Sequence, residues 1–444
     1  MTASHAAQRL RGAHMLRALR YRNYRLYFTG QSISLIGSWM TRIATSWLVY
    51  RLTGSALLLG LTGFAGQIPS FLLAPFAGVL VDRWNRQKLL VITQILALLQ
   101  SLALAILTLT HRITVAEIIG LSIVQGLINA FDMPGRQAFA VQMVDDKADL
   151  GNAIALNSSM INAGRLIGPA LGGVIIAAVG EGYCFLIDSI SYVAVIASLL
   201  MMRITVNPEN VKRKSEGMLV QLREGWSYVS QFTPVRNILI LLAFVSLVGF
   251  PYTVLMPVFA THILHGGPAT LGILMAATGV GALAGAITLA NRRSVLGLGR
   301  VIPQMAALFG AGLIGFALSR NIWISALLLV ATGFGFITQL ASSNTLMQTI
   351  VDDDKRGRLM SYYTMSFQGT APFGSLLAGL MAHKLGAPAT LAIGGVGCII
   401  GGLLFYRALP EFRATLRPIY TRMGILPIRT GEAEAEAATA GAGS

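Results

Sequence analysis

Residues Asn157–Gly173 read N-S-S-M-I-N-A-G-R-L-I-G-P-A-L-G-G, and the fold turns on how this stretch is read. It lies in an apolar segment long enough to cross a bilayer, yet it carries an arginine, two asparagines and a proline. Gly164, Gly168 and Gly172 recur every fourth residue. On a helix they form one stripe without side chains, against which a neighbour packs backbone to backbone. Pro169 removes a backbone donor and bends the helix there. Arg165 and Asn162 are costly in hydrocarbon, which directs them toward protein or a water-filled cavity. The stretch reads as a kinked, tightly packed helix beside a polar path.

The whole chain agrees with a membrane setting. Its 444 residues are 54% hydrophobic and 12% charged, whereas soluble domains carry about a quarter charged residues. Mean hydropathy is +0.66. A net charge of +16 would point to nucleic acid in a soluble protein. Here the basic residues sit between apolar runs, where they orient spans, so no nucleic-acid partner is expected. Stretches of about twenty apolar residues predict twelve transmembrane helices near 24–50, 56–81, 88–109, 114–138, 153–179, 183–202, 236–261, 268–290, 301–319, 322–346, 359–383 and 388–407. The first follows some two dozen residues of basic character, lacks a small-residue cleavage pattern and is expected to stay as a span. Cys184 and Cys398 lie in separate apolar segments, so buried thiols are expected rather than a disulfide. The six histidines show no ligand spacing, and no metal or other cofactor is expected.

Five regions follow: a basic N-terminal segment, 1–23; a first six-helix bundle, 24–202; a linker, 203–235; a second bundle, 236–407; and a tail, 408–444, expected to be largely disordered. Leu219, Leu222, Trp226 and Val229 predict an amphipathic surface helix in the linker. Arginines and lysines concentrate on the side holding both termini. The opposite loops carry only Arg51, Arg112, Arg320 and Lys384. Both termini are therefore expected in the cytoplasm. A shift of 206 residues pairs Gln142 with Gln348, Asp146 with Asp352, Gly151 with Gly357, Gly168 with Gly374, Gly173 with Gly379 and Gly180 with Gly386. These matches fall at the same place in spans five and eleven, as a duplicated six-span unit requires.

Between spans two and three lies Gly78-Val-Leu-Val-Asp82-Arg83-Trp84-Asn85-Arg86. Gly78 permits close helix contact, and Asp82 is suited to cap the positive end of a helix from the other half, the start of span eleven near Gly357 and Arg358 being the expected acceptor. Arg83, Arg86 and Arg136 complete the expected cytoplasmic gate. The equivalent loop, Asn291-Arg292-Arg293, has no acid. Buried charges are few. Asp132 and Asp188 lie within spans, and no acid occurs from Gly225 to Val351. Depth along the helices pairs Asp132 with Arg136 or Arg165, and Arg42 with Asp188. Asp132, Arg42 and Arg165 are the proton-coupling candidates, since a carboxylate near an arginine responds to changing water access. Asn129, Asn162, Gln339 and Gln368 are the substrate-cavity candidates.

The Gly164-x-x-x-Gly168-Pro169-x-x-Gly172-Gly173 string resembles the fifth-helix signature of antiporters in the major facilitator superfamily, and Gly78 to Lys88 resembles that superfamily's loop between spans two and three. Arg22-Asn23-Tyr24-Arg25, Ser34-Leu35-Ile36-Gly37, Trp47-Leu48-Val49-Tyr50 and Arg136-Gln137-Ala138 resemble the bacterial branch that contains the enterobactin exporter and drug and macrolide exporters, over about residues 14–410. The resemblance implies two pseudo-symmetric six-helix bundles and proton-driven export of a siderophore or drug-like molecule across a bacterial inner membrane. A monomer in the lipid bilayer is expected. One departure is plain: Ser122 stands where drug-antiporter relatives often carry an arginine, three residues before Gln125-Gly126. An importer or facilitator of a small metabolite is the alternative on the same fold. An enzyme would need an assembled nucleophile and base or a His/Asp cluster, and the sequence offers none.

Overall fold

A helix is the form an apolar chain takes in a bilayer because its backbone must bond to itself there. A computed structural model describes residues 17–140, 143, 146, 149–203, 227, 229–292, 294–423 and 426; for 74, 75, 78, 79, 82, 83, 140, 353, 354 and 358 it describes the backbone. The first half consists of α1 Arg22–Thr53, α2 Ala56–Arg83, α3 Arg86–Leu109, α4 Val115–Ala140, α5 Leu150–Val179 and α6 Glu181–Met201. In the second half α7 spans Thr233–Ile263, broken after Val248 and ending in a π turn, Phe259–Ile263. Then come α8 Pro268–Ala290, α9 Leu298–Leu318, α10 Ile322–Ile350, a two-part α11 and α12 Ala387–Arg407. The parts of α11 are Asp353–Thr364 and Ala371–Leu385, joined by a π turn, Met365–Gly369.

Among the described residues, ten helices are long and apolar enough to cross a membrane. The other two spans are α1, which carries four arginines, and the interrupted α11. The expected twelve-helix, all-α membrane fold is the one observed. Burial is arranged for lipid: on α3, Ile92, Leu96, Leu99 and Ile106 face outward while Thr93, Gln94, Gln100 and Ser101 are buried.

Pairing of helices repeats in the two halves. In the first, α1 packs on α5 and α6, α2 on α4, and α3 on α4 and α6; the second repeats this with α7 on α11 and α12, α8 on α10, and α9 on α10 and α12. The halves meet through α5 with α8 and α2 with α11. The internal shift explains the contacts residue by residue. A Cβ at Gly374 would lie 2.5 Å from the Leu247 carbonyl oxygen on α7, as one at Gly168 would lie 2.9 Å from that of Ile36 on α1. A Cβ at Gly173 would lie 2.7 Å from Gly272 on α8, and one at Gly379 would lie 2.8 Å from Gly60 on α2. Gly180 and Gly386, the last matched pair, turn the chain into α6 and α12 with φ of 93° and 85°, where a side chain would strain the backbone.

These cross-half contacts lie toward the end away from the termini. There Tyr50 meets His262 edge-on at 5.7 Å, and Tyr50, Leu59 and Ile176 share one apolar cluster with Tyr252, Met256 and Leu271. At the terminal end the first half has its own cluster, including Tyr24, Tyr27, Leu90, Phe139 and Met160, with no residue of the second half in it. Among the described residues nothing lies near Gly151 or Gly357. Among those residues the bundles are thus packed against one another at the far end and not at the terminal end.

One segment departs from expectation. The tail is not disordered from 408: Leu409–Arg422 forms α13, with Leu409, Phe412, Leu416 and Tyr420 buried. That spacing of three and four residues gives it an apolar face, which Pro410 and Pro418 obscured in the sequence. The N-terminal segment is anchored, with Arg20 2.7 Å from Asp149 and the Tyr21 hydroxyl donating to the same carboxylate at 2.9 Å. The amphipathic linker helix lies mostly outside the described residues.

If glycine contact closes the far end, Gly173→Leu will open it. In a protein with Cys184→Ser and Cys398→Ser, cysteines placed by Tyr50→Cys and His262→Cys should cross-link readily, and Gly173→Leu should cut the yield several-fold. Unchanged cross-linking would mean that α5 and α8 do not set the closure.

Candidate substrate cavity

The glycine stripe has a specific occupant. Gly164, Gly168 and Gly172 all face α1: a Cβ at Gly164 would stand 3.3 Å from Trp39 Cδ1, one at Gly168 would strike Trp39 Cβ, and one at Gly172 would lie 2.7 Å from Ile43 Cγ2. Trp39 is thereby seated between α1 and α5. Its ring carries two guanidinium groups, Arg42 from its own helix at 4.7 Å and Arg165 from α5 at 5.4 Å. A cation over an indole face is attracted by the ring quadrupole.

Both arginines reach solvent although they lie mid-helix; Arg42 is exposed and Arg165 half-exposed. Arg42 is not turned to lipid. Ile33, 49% exposed on α1, precedes it by nine residues, which at about 100° per residue puts the two on opposite faces. Arg42 thus faces the space between the bundles. Ser158, Asn162 and Arg165 follow at spacings of four and three, so they share one face of α5. Asn162 donates to the Ser158 carbonyl at 2.9 Å. On α4, Asn129 is half-buried and accepts from Gln125 at 3.2 Å.

The second half supplies an aromatic group instead of charges. The break in α7 at Gly249–Pro251 brings in Phe250, and the π turn of α11 brings in Phe367. They meet Phe336 of α10 with ring centroids 5.3 Å (Phe250–Phe336), 5.5 Å (Phe250–Phe367) and 5.9 Å (Phe336–Phe367) apart. Widening the helix frees carbonyls, and Ser246 donates to that of Phe367 at 2.6 Å. Gln368, in the same turn, is exposed. Gln339 corrects an expectation. It is fully buried on α10 beside Thr338, Ser342 and Ser343 and does not line open space; its helical phase turns it into the bundle.

The two embedded acids have different shells. Asp132 of α4 is buried, 2.5 Å from Arg136 Nε one turn on, and its other oxygen accepts from Gln94 at 2.7 Å and Thr93 at 2.9 Å, both on α3. Of its two expected partners, Arg136 is the one engaged, and Arg136 belongs to this cluster rather than to a rim gate. The expected Arg42–Asp188 pair is not formed, because Arg42 folds onto Trp39. Asp188 of α6 is 1% exposed, with Ser101 Oγ at 3.2 Å and Ser191 Oγ at 3.5 Å, and the hydroxyls of Thr41 and Ser38 stand beside it. Among the described residues no cation lies within salt-bridge distance of it.

The gate is visible in part. Arg86 donates to the Ala138 carbonyl at 3.3 Å, tying α3 to α4. The side chains of Asp82, Arg83 and Arg358 and the surroundings of Gly78 lie outside those described, and among the described residues nothing lies near Gly357, the expected contact. Arg292 of the equivalent loop bonds to the carbonyls of Ser294 and Leu296 in its own turn. Among the described residues no group of three or more potential metal ligands occurs. The sequence reading missed Trp39 and the Phe250–Phe336–Phe367 group. An aromatic three residues before an embedded arginine, and Gly-Phe-Pro in mid-span, were the signals available.

Two pseudo-symmetric six-helix bundles around a polar cleft define a major facilitator superfamily transporter. The chain belongs to the transmembrane secretion effector family, whose model matches residues 13–422. It is 29% identical over 385 residues to the staphyloferrin A transporter of Staphylococcus aureus, covering 86% of this chain and 94% of that one. It is 26% identical to the multidrug efflux pump Tap of Mycolicibacterium fortuitum (80% and 88% covered) and 24% identical to the enterobactin exporter EntS of Salmonella typhi (88% and 93%). In fold it is similar to a D-xylose-proton symporter, with TM-score 0.70 at 14% identity over 88% of this chain and 99% of that one. A bacterial homolog of the lysosomal transporter Spinster, inward-facing and occupied, gives TM-score 0.69 at 13% identity, covering 89% and 98%.

Asp132→Ala will leave Arg136 half-buried without its partner, a loss of about 3 kcal/mol by analogy with other broken buried pairs. A markedly lower melting temperature in detergent is expected, with Asp132→Asn milder because the amide still accepts from Gln94. An unaltered melting point in Asp132→Ala would show that the pair does not hold α3 to α4.

Proposed function

We propose that this transporter exports a siderophore or drug-like small molecule from the cytoplasm by alternating access, driven by the proton gradient. The observation that carries the reading is the likeness, over most of the chain, to a drug efflux pump and a siderophore exporter. Among the described residues the bundles are joined at the far end and not at the end bearing the termini and most basic loops, which the positive-inside rule assigns to the cytoplasm. That state is one in which an exporter loads cytoplasmic cargo. The relatives in siderophore and drug efflux support the substrate range, and the glycine pairs at the far end supply a joint on which one bundle rocks against the other.

The shells of the two embedded acids favour Asp188 over Asp132 for the coupling proton. Arg136 offsets the charge of Asp132. At Asp188 two of the four neighbouring hydroxyls have nearer acceptors elsewhere: Ser101 lies 2.9 Å from the Phe185 carbonyl and Ser191 2.7 Å from the Asp188 backbone carbonyl. A protonated Asp188 would then donate to Ser101, whereas an ionised one would be buried with neutral hydroxyls and no cation to offset its desolvation. Thr41 next to Arg42 links this acid to the cleft.

Efflux of a fluorescent drug panel and of secreted iron chelators from energised cells tests this. Collapse of export by a protonophore is expected, with Asp188→Asn abolishing gradient-driven efflux and Asp132→Asn at comparable expression retaining part of it. Loss in Asp132→Asn alone would return the coupling role to Asp132. Inward flux insensitive to the protonophore would replace export with uptake or facilitation.

A further inference from the structure

Among the described residues the cleft holds two positive charges and no matching negative one. Arg42 and Arg165 share the Trp39 ring, so their guanidinium carbons are at most about 10 Å apart, and their charges repel. An embedded arginine ordinarily pairs with a carboxylate. Here neither arginine has a salt-bridge partner among the described residues. Asp132 is engaged by Arg136, Asp188 is enclosed by hydroxyls, and the second half has no acid from Gly225 to Val351. The site is also held in place rather than floppy. The glycine stripe fixes Trp39 between α1 and α5, and Trp39 supports both guanidinium groups from below. Two like charges kept this way, in a water-filled cleft within a low-dielectric wall, create a strong local positive potential.

We propose that Arg42 and Arg165 form the binding site for the cargo's negative charges. The transported molecule is then a small organic polyanion of the polycarboxylate kind, not a lipophilic cation. This rests on the export reading and narrows it. Guanidinium forks match carboxylate oxygens in bidentate geometry. Phe250 and Phe367, half-buried in the second half, offer an uncharged aromatic surface for the organic body. A cationic drug would find no free carboxylate in the described cleft and would meet two repelling charges. The basic loops around the open end further concentrate anions there.

The test uses the full-length protein in lipid nanodiscs with Trp47, Trp84, Trp226 and Trp323 replaced by Phe, so that Trp39 is the sole indole reporter. Citrate and 2,3-dihydroxybenzoate serve as anionic probes and tetraphenylphosphonium as the cationic one, at constant ionic strength so that screening does not mimic binding. A saturable change in Trp39 emission with an anionic probe is expected. Arg42→Gln and Arg165→Gln should each weaken it by about tenfold or more, and Arg42→Lys, which keeps the charge, should weaken it less. Arginine-independent binding of the anions, no binding of either anion, or saturable binding of the phosphonium that the anions do not displace would each overturn the proposal. Transport separates it from the export reading. Protonophore-sensitive efflux of a cationic dye unaffected by Arg42→Gln would keep export and overturn the anion site. Arginine-dependent citrate binding without proton-driven efflux would keep the site and overturn the export reading.

Discussion

The contact on which the rest depends is that of α1 with the glycine stripe of α5. Three positions without side chains let the helices approach until Trp39 lies against the α5 backbone, and Pro169 follows directly on the central glycine. Lipid provides no hydrophobic force between helices, so association depends on close packing of this kind. The contact has a chemical product as well as a mechanical one. With Trp39 seated, an arginine from each helix is held over a single ring at the edge of the cleft.

The same glycine logic, displaced by one duplication, builds the joint between the halves. Gly173 against Gly272 and Gly379 against Gly60 are close backbone contacts related by the internal repeat. Side chains there would interpose atoms where the halves now meet, whereas glycines let the two backbones touch. Among the described residues the terminal end shows no such interlock: nothing lies near Gly151 or Gly357, and the first half closes its own apolar cluster there.

Charge is distributed unequally over this near-symmetric frame. The first half holds the embedded arginines and both embedded acids; the second answers with stacked phenylalanines, a π turn and buried hydroxyls. Each acid has been given a different environment. Asp132 and Arg136 neutralise one another across a helical turn and fasten α4 to α3. Asp188 is surrounded by hydroxyl oxygens. Duplication supplied the scaffold, and unequal substitution made one wall electrostatic and the other aromatic.

Much of this was legible in the chain. Twelve apolar runs, the bias of basic residues to one side, the glycine periodicity and the 206-residue repeat are local or additive properties, and hydrocarbon leaves a spanning segment little choice but a helix. The helical phase of Gly164, Gly168 and Gly172 announced a close neighbour. It did not say which one, because any helix fits a stripe of glycines, and only the packed bundle identified α1 and Trp39. Pairing of charges was decided in three dimensions as well. Depth allowed Arg42 to meet Asp188, but rotation about the helix axis and the attraction of an indole face turned it toward Trp39. Gln339 was misplaced for the same reason: position along a helix follows from sequence, whereas the direction a side chain faces is set by what packs against it.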